Sequence, residues 1–393
     1  MKSIVIVGWD KSLNNVGDQI LIDTVHFLCE NASDYNIVNM DWENTNRSVI
    51  VKIGREIFYY LLLAFNWVPW EGTGYLTKIR YQMTKLWVES GVKFYYKRCF
   101  DNNECIGVID AGGALKYKTQ NQNYFIEILI DVASKNNIPV MLNALGLEGY
   151  SENDIRCREL IKTINKPNVK YITTRDNIDL LKSKFIFSPN ICAAKVGDPA
   201  LWIPEVYQIK RNKKASVIGV NLIREDAFKD YGYYYKSPEE VFKLYCDVVH
   251  ELEIKGLDWV FFTNGMDRDI DFGNRLIERL GCTKSKLLPI SKTPKEYVQM
   301  VADFKGVIGG RLHAAITAYS LDVPVTAFVW SEKIRYFAST VGLSDYFLEG
   351  SAITGKELVN AMIKAIHDDR EHSEKEGLKK LTYRYIKSFC DSL

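Results

Sequence analysis

The sequence has 393 residues, of which 47% are hydrophobic and 25% are charged, and its formal net charge is +2. This length exceeds one ordinary hydrophobic core and indicates two domains of a soluble globular protein. The near-neutral charge argues against nucleic acid as a partner, so an anionic ligand must be met by a local cluster of charge.

The first half of the chain alternates strands and helices. Strand patterns occur in "SIVIVG", "YNIVNMD", "CIGVIDAGG", "IPVMLNALGLEG" and "VKYITTRD", with helical periodicity between most of them. This spacing indicates a parallel sheet with helices on both faces. We predict a first Rossmann-like domain over residues 1–205, interrupted by an aromatic-rich and mostly helical insertion over residues 47–100.

The insertion contains the longest apolar stretch of the chain, "IFYYLLLAFNWVPW" at residues 57–70. It is too short to span a bilayer, and a proline interrupts its end. Its aromatic residues, with Lys78, Arg80 and Lys85 nearby, would suit a segment at a membrane surface. The sequence favours the other interpretation, a buried helix that ends at the proline.

The same alternation restarts after "VGDPALWIPEVYQIKRNKKA", whose prolines and basic cluster suggest a linker. We predict a second Rossmann-like domain over residues 214–350, including a short strand in "SKLLPIS", and a helical tail over 351–393 that returns to the first domain. Together these elements predict an α/β protein with two domains facing across a cleft. Ligands of such folds bind at the carboxyl ends of the strands.

Metal and targeting signals are absent from the sequence. The eight cysteines form no C-x-x-C pair, and no cysteine–histidine cluster has zinc spacing. The N-terminal "MKSIVIVGWD" lacks the features of a cleaved signal peptide. We therefore predict that the thiols are reduced, that there is no metal site and that the protein is cytoplasmic. If the insertion is interfacial, the protein would be peripheral at the inner face of the membrane.

Polar residues and glycines follow several strands of the first half. Asn15 offers a hydrogen-bonding amide, and Asp18 could cap the next helix or act as a general base. Gly112 and Gly113 permit close approach of a ligand to the backbone. Arg175 is suited to a bidentate contact with carboxylate or phosphate, and an Arg–Asp pair at a helix start is the alternative.

A second cationic group lies in "VIGGRLHAAITAYSLDVPV". Arg311 and His313 stand where a strand turns into a helix, and free N–H groups at a helix start favour an anion. A histidine beside an apolar helix is more often a core residue, but the diglycine, the arginine and the helix start together favour a site. Lys333 follows the next strand and would add a cation at the same edge. The combination predicts an anion pocket with an acid/base group beside it.

Five motifs occur in order: "NNVGDQIL", "AGGAL", "TTRD", "GDPALW" and "GGRLHAAITAYSLDVPVTAFVWSEK". Together they resemble the polysaccharide pyruvyl transferase family over most of residues 1–345, with Asp322 where that family usually has a glycine. The resemblance implies a GT-B-like fold and transfer of a pyruvyl group from phosphoenolpyruvate to two sugar hydroxyls, forming a ketal and releasing phosphate. It also implies that Arg175, Arg311 and His313 bind the donor.

This resemblance orders the remaining expectations. The first domain would bind the sugar acceptor, which would be a precursor of a capsule or exopolysaccharide or a lipid-linked glycan. The second domain would bind phosphoenolpyruvate. No separate cofactor is expected. His313 is the candidate general acid or a donor ligand only, and Asp18 is the first choice of base. A nucleotide-sugar glycosyltransferase of the same fold and a non-catalytic membrane-associated scaffold remain the alternatives. The sequence leaves the oligomeric state open.

Overall fold

The computed structural model describes residues 2–8, 15–40, 56, 58–60, 62–118, 121–230, 236–350, 353–368 and 373–393. These residues form two compact units. Unit 1 comprises the described residues of Met1–Gly8, Val25–Val196 and Tyr383–Leu393, and unit 2 those of Trp9–Thr24 and Gly197–Thr382. Parts of the predicted insertion and tail, residues 47–55, 57, 61, 351–352 and 369–372, lie outside the described residues.

Unit 1 is built on a parallel sheet of seven strands in the order β2-β1-β3-β5-β6-β7, with β4 paired to β5. All five residues of β1 are buried, as expected for a parallel sheet that helices cover on both faces. The strands are β1 Ser3–Val7, β2 Asn36–Asn39, β3 Cys105–Asp110, β4 Ala114–Lys116, β5 Val140–Glu148, β6 Val169–Thr174 and β7 Cys192–Lys195.

Four longer helices accompany this sheet: α1 Val16–Ala32, α2 Tyr75–Asn102, α3 Gln122–Lys135 and α4 Ile155–Ile164, with a short turn at Ile178–Leu180. The first residues of α1, up to Thr24, belong to unit 2. The long helix α2 lies in the predicted insertion and packs on α3, where the rings of Tyr81 and Tyr124 are 5.4 Å apart. The helical character predicted for the insertion is therefore present in its described part.

A buried ion pair fixes α2 to α3. Lys85 Nζ lies 3.0 Å from the fully buried Glu127 carboxylate and 3.2 Å from Asp131. Burial alone would lower the pKa of Lys85, but Glu127 and Asp131 raise it above the ordinary lysine value. Lys85 therefore stays charged and anchors one side of α2 to α3.

Unit 2 has a parallel sheet of five strands in the order β12-β11-β10-β8-β9. Its strands are β8 Ile218–Asn221, β9 Trp259–Phe262, β10 Gly306–Gly309, β11 Val325–Phe328 and β12 Phe347–Leu348. Its longer helices are α5 Pro238–Ile254, α6 Asp267–Leu280, α7 Pro294–Ala302, α8 Leu312–Ser320, α9 Glu332–Thr340 and α10 Gly355–His367. Short helices occur at Ile203–Tyr207 and Ala227–Asp230.

The last helix, α11 Ser373–Asp391, begins in unit 2 and contributes its final turns to unit 1. In unit 1, the rings of Tyr171 and Phe389 are 5.8 Å apart, and Tyr171 Oη donates to Ser388 O at 3.3 Å. A Cβ atom on Gly107 would lie 2.6 Å from Leu393 Cδ1. The end of the chain is thus part of the packing of unit 1.

One strand prediction was wrong. "SKLLPIS" overlaps the end of a 3₁₀ turn at Lys284–Lys286 and has one isolated bridge between Phe261 and Leu287, because Pro289 has no N–H to continue a ladder. The division between the units falls at the start of the suggested linker, which itself contains a 3₁₀ turn at Pro199–Trp202 and the helix Ile203–Tyr207. Its prolines stand at the first turns of these elements, where they favour helix formation, and its apolar residues join the core of unit 2.

Asp322 adopts a left-handed backbone conformation, with φ of +59°. This conformation explains why a glycine is usual at this position in the family that the sequence resembles. Aspartate is among the residues that tolerate it best. Its carboxylate pairs with Lys375, and its carbonyl accepts a hydrogen bond from Arg211 at 3.0 Å.

Candidate active site

The diglycine turn after β10 is tightly enclosed. A Cβ atom on Gly310 would lie 2.5 Å from Asn221 O and 2.7 Å from Tyr245 Oη. The Gly310 carbonyl also accepts a hydrogen bond from Trp330 Nε1 at 2.6 Å. Only glycine fits there, and helix α8 begins directly beyond the turn.

Arg311 is held by a buried carboxylate that the sequence analysis did not identify. Its Nε and Nη2 each donate to Asp269 at 2.7 Å, and its backbone N donates to Asn221 Oδ1 at 2.9 Å. Asp269 is fully buried and also accepts from Arg224 N at 3.0 Å. The sequence does carry one signal for a buried Asp269, because its helical spacing places it on the same side of α6 as Phe272, which is also buried.

The Arg311–Asp269 pair changes the electrostatics of the site. A guanidinium two residues before an imidazole opposes its protonation through like-charge repulsion. Asp269 supplies a negative charge in bidentate contact with that guanidinium. The arginine therefore opposes an imidazolium less than its formal charge implies.

A network of buried amides joins the strand ends to helix α1. Asn221 Nδ2 donates to Asn264 Oδ1 at 3.0 Å, and Tyr297 Oη donates to the same oxygen at 3.1 Å. The Asn264 carbonyl accepts from Val16 N at 3.1 Å, at the first residue of α1. The start of α1 is thereby fixed beside the strand ends of unit 2.

Asn15 caps helix α1. Its Oδ1 accepts from Gly17 N at 3.2 Å, and its Nδ2 donates to Asp18 Oδ2 at 2.9 Å. The capping role considered for Asp18 therefore belongs to Asn15. Asp18 lies half-buried in the first turn, where a carboxylate is favourable to the helix dipole.

Gly17 brings the start of α1 against His313. A Cβ atom on Gly17 would lie 2.3 Å from His313 Nδ1 and 2.5 Å from its Cγ. His313 is itself the second residue of α8. Two helix N-termini therefore meet at this imidazole, with Arg311 directly before α8. Backbone N–H groups, a guanidinium and an imidazole are the groups that bind an anion and transfer a proton.

We expect Gly17→Ala to displace the imidazole, because the added methyl group overlaps the present ring position. Overpacking of this kind costs about 1–3 kcal/mol of stability. Turnover should fall more steeply than donor affinity, since proton transfer depends on the ring's placement. Steady-state kinetics and urea unfolding measure the two effects. Unchanged kcat in Gly17→Ala would contradict the assigned contact.

Lys333 lies at the same edge of the unit 2 sheet as Arg311 and His313. It is the second residue of α9, which follows β11, and β11 pairs with β10. Its side chain is half-buried. Arg335, two residues further on, pairs with Glu332 and Glu349 at the surface.

The remaining predicted residues form a second group, within unit 1. Gly112 has φ of +117°, and the Gly113 carbonyl accepts from Gly146 N at 2.9 Å. A Cβ atom on Gly146 would lie 3.3 Å from Asp176 Oδ2 and 3.7 Å from Arg175 Nη2. The diglycine and Arg175 are thus neighbours, with Gly146 as the small residue between them.

Asp110 is a buried carboxyl group beside this diglycine. It ends β3, and its Oδ1 accepts from Gly112 N at 3.4 Å. Burial raises its pKa to about 7, although the bond from Gly112 acts in the opposite direction. A carboxyl group that titrates near neutrality is suited to acid/base work.

The variant Asp110→Asn tests the raised pKa of Asp110 through its effect on the free energy of unfolding. The folded protein keeps a proton on Asp110 between about pH 4 and 7, where the unfolded chain has released it, so wild-type stability falls as pH rises through that window. Asparagine has no such dependence and keeps the acceptor for Gly112. We expect the variant to exceed wild type by up to about 4 kcal/mol at pH 8 and to match it near pH 4. Urea unfolding at both pH values measures this, and a pH-independent difference would contradict it.

Solved structures with the same fold support the architecture. UDP-GlcNAc 2-epimerase from Methanocaldococcus jannaschii has a TM-score of 0.54 and 13% identity, with 99% of each chain covered. The enzyme from Neisseria meningitidis has a TM-score of 0.55 and 12% identity, with 100% of each chain covered. At these identities the likeness concerns the fold alone. It confirms the α/β, GT-B-like class.

A weaker sequence match concerns the chaperone protein HtpG of Clostridium botulinum strain Langeland. It is 28% identical over 197 residues, which cover 44% of this chain and 30% of that protein. The chain thus spans less than a third of the length of these curated relatives, and this match does not show a family.

The family itself is shown by a longer match. The model described as polysaccharide pyruvyl transferase matches residues 15–332, a range that contains seven of the eight predicted site residues and ends one residue before the eighth. It begins at Asn15 and extends almost to Lys333. The chain therefore belongs to the polysaccharide pyruvyl transferase family, a family of transferase enzymes.

Proposed function

We propose that the protein transfers a pyruvyl group from phosphoenolpyruvate to two hydroxyls of a sugar in a polysaccharide or a lipid-linked precursor. The products are a cyclic pyruvate ketal and phosphate. The observation that carries the proposal is the meeting of two helix N-termini at Gly17 and His313, beside Arg311. Phosphoenolpyruvate is small and carries both a carboxylate and a phosphate, so it suits a compact set of oriented donors.

The donor would be bound by backbone and guanidinium N–H groups together. A helix start favours an anion through its first N–H groups and the helix dipole. At α1 the N–H groups of Val16 and Gly17 are bonded to Asn264 O and Asn15 Oδ1, so α1 would contribute its dipole and α8 the backbone donors. Asp269 accepts from Nε and from one N–H of Nη2, so Nη1 and the outer N–H of Nη2 form the edge through which Arg311 would bind the donor. Lys333, in the same unit, is proposed as a further contact to the donor's charges. The donor-binding role that the resemblance implies for Arg175 stays a prediction.

The reaction needs an acid and a base. In the proposed scheme His313 donates a proton to the methylene carbon of phosphoenolpyruvate, which makes C2 electrophilic. A first sugar hydroxyl forms a bond to C2 and loses its proton to Asp18. The C2–O bond to phosphate then breaks, the second hydroxyl adds, and its proton leaves with the phosphate. Arg311 and the helix N-termini stabilise the charge of the departing phosphate.

Phosphoenolpyruvate enters this scheme as a substrate, and no separate cofactor is invoked. The residues of unit 1 around Gly112, Gly113 and Asp110 are proposed to serve the sugar acceptor. The cytoplasmic location inferred from the sequence stays a prediction.

A binding panel tests the donor. Calorimetry with phosphoenolpyruvate, UDP-GlcNAc and UDP-glucose should give binding of phosphoenolpyruvate alone, weakened in Arg311→Lys because lysine lacks the planar, bidentate geometry. Incubation with phosphoenolpyruvate and candidate lipid-linked glycans should then give a pyruvylated product in mass spectra. Binding of a nucleotide sugar without binding of phosphoenolpyruvate would replace the proposal with a glycosyltransferase.

A further inference from the structure

Exposed apolar side chains are concentrated in one part of the chain. Among the described residues, eight of the eleven exposed large hydrophobic side chains lie between residues 59 and 94. The most exposed are Tyr75 at 77%, Trp67 at 72%, Tyr60 at 68% and Phe94 at 61%. Soluble monomers rarely expose so many large apolar groups in one region, so we expect this region to bind a partner.

Helix α2 is apolar on two opposite sides. Tyr81, Val88 and Tyr96 are buried on the side that faces unit 1. At 100° per residue, Leu76, Met83 and Phe94 fall on the other side, in a stripe about 27 Å long. A helix at the surface of a soluble protein is normally polar on that side.

The preceding segment extends this stripe. The ring of Tyr59 lies 5.7 Å from that of Trp87 on α2 and 6.1 Å from that of Tyr60. Tyrosine and tryptophan combine an apolar ring with a polar group, a combination enriched where hydrocarbon meets water. We call the exposed aromatic and aliphatic side chains of residues 59–94 the apolar surface.

The charge around the apolar surface identifies the kind of partner. Helix α2 carries six basic residues and two acidic ones, whereas the whole chain has a net charge of only +2. Lys85 pairs with Glu127 of α3, and Lys93 pairs with Glu89 of α2 itself, whereas Lys78 and Lys97 are exposed. A second copy of the chain would bring the same positive charges to the contact. An anionic lipid headgroup layer opposes them.

We propose that the apolar surface binds the headgroup region of an anionic phospholipid bilayer, with the aromatic rings inserted and the exposed lysines contacting lipid phosphates. Among the helices that the structure describes, none is long and apolar enough to cross a membrane, so the contact is peripheral. This inference goes beyond the proposed pyruvyl transfer and does not depend on it.

Vesicle sedimentation of the full chain tests the proposal. We expect binding to vesicles of phosphatidylcholine with 30% phosphatidylglycerol, weaker binding to phosphatidylcholine alone, and weakening by salt because the lysine contacts are screened. The pair Trp67→Ser and Phe94→Ser should lower the partition coefficient at least tenfold. The pair Lys78→Glu and Lys97→Glu should also lower it at least tenfold for the anionic vesicles.

Matched controls test whether the loss of binding is specific to the apolar surface or follows from removing any exposed aromatic ring or any two lysines. Phe187 is 67% exposed outside the apolar surface, and Lys295 and Lys356 are exposed in unit 2. Phe187→Ser, and the pair Lys295→Glu and Lys356→Glu, should each leave partitioning within twofold of wild type. The proposal is overturned if the anionic vesicles do not bind, or if the variants of the apolar surface bind like their controls. It is also overturned if sedimentation velocity shows a dimer that those variants abolish.

Discussion

His313→Gln should lower kcat for pyruvyl transfer by about 10²- to 10⁴-fold, the range that general acid–base groups supply. Glutamine keeps a polar side chain against Gly17 but cannot deliver a proton to carbon. If His313 acts as the acid, the affinity for phosphoenolpyruvate should change little while kcat falls. A residue that only binds the phosphate would instead weaken affinity and turnover together. Steady-state kinetics and calorimetry on the same variant distinguish the two roles.

His250→Gln is the matched control for this prediction. His250 is exposed on α5, away from the strand ends, so its replacement should leave both kcat and the affinity for phosphoenolpyruvate unchanged. Circular dichroism should give the same spectrum for both variants. Ketal formation by His313→Gln within fivefold of wild type would remove His313 from the chemistry.

Arg311→Met should cost about 3–5 kcal/mol of stability, because it leaves the buried Asp269 carboxylate without its ion-pair partner. The free energy of unfolding in urea measures this loss. Donor binding should disappear as well, so the single variant cannot separate the two roles of Arg311.

The double variant Arg311→Met with Asp269→Leu separates them. Replacing both members of a buried ion pair with apolar residues is often close to neutral, so much of the lost stability should return. Binding of phosphoenolpyruvate should remain absent in the double variant. If the double variant recovers both stability and donor binding, Arg311 is a structural residue alone.

The regular elements near the site could be predicted because their signals are local. The apolar runs of β1 and β10, the capped start of α5 and the proline at the start of α7 each lie within a few residues of sequence. The wrong strand in "SKLLPIS" and the unpredicted helical turns of the linker both involve prolines, whose effect depends on whether they fall at a helix start or within a strand. Short edge strands such as β7 and β12 were not predicted, because two to four residues carry too little periodicity.

The candidate site shows a different limit. Arg311, His313 and the Asn15–Asp18 segment stand out because glycines and polar residues follow apolar strands. Their mutual contacts join residues almost 300 positions apart in the sequence, and a single sequence carries no signal for such a distance. Asp269 went unnoticed for a related reason, since its role depends on a guanidinium that approaches from another helix.

The most direct test follows the carbon and hydrogen atoms of the donor. Phosphoenolpyruvate labelled with ¹³C at C2 is incubated with the protein and a glycan acceptor in deuterated water, and the products are read by NMR. The account predicts a labelled quaternary ketal carbon in the glycan, one deuterium in the adjoining methyl group, and one phosphate released per ketal. A labelled enol ether that keeps its methylene group, or transfer of a sugar from a nucleotide donor instead, would contradict it.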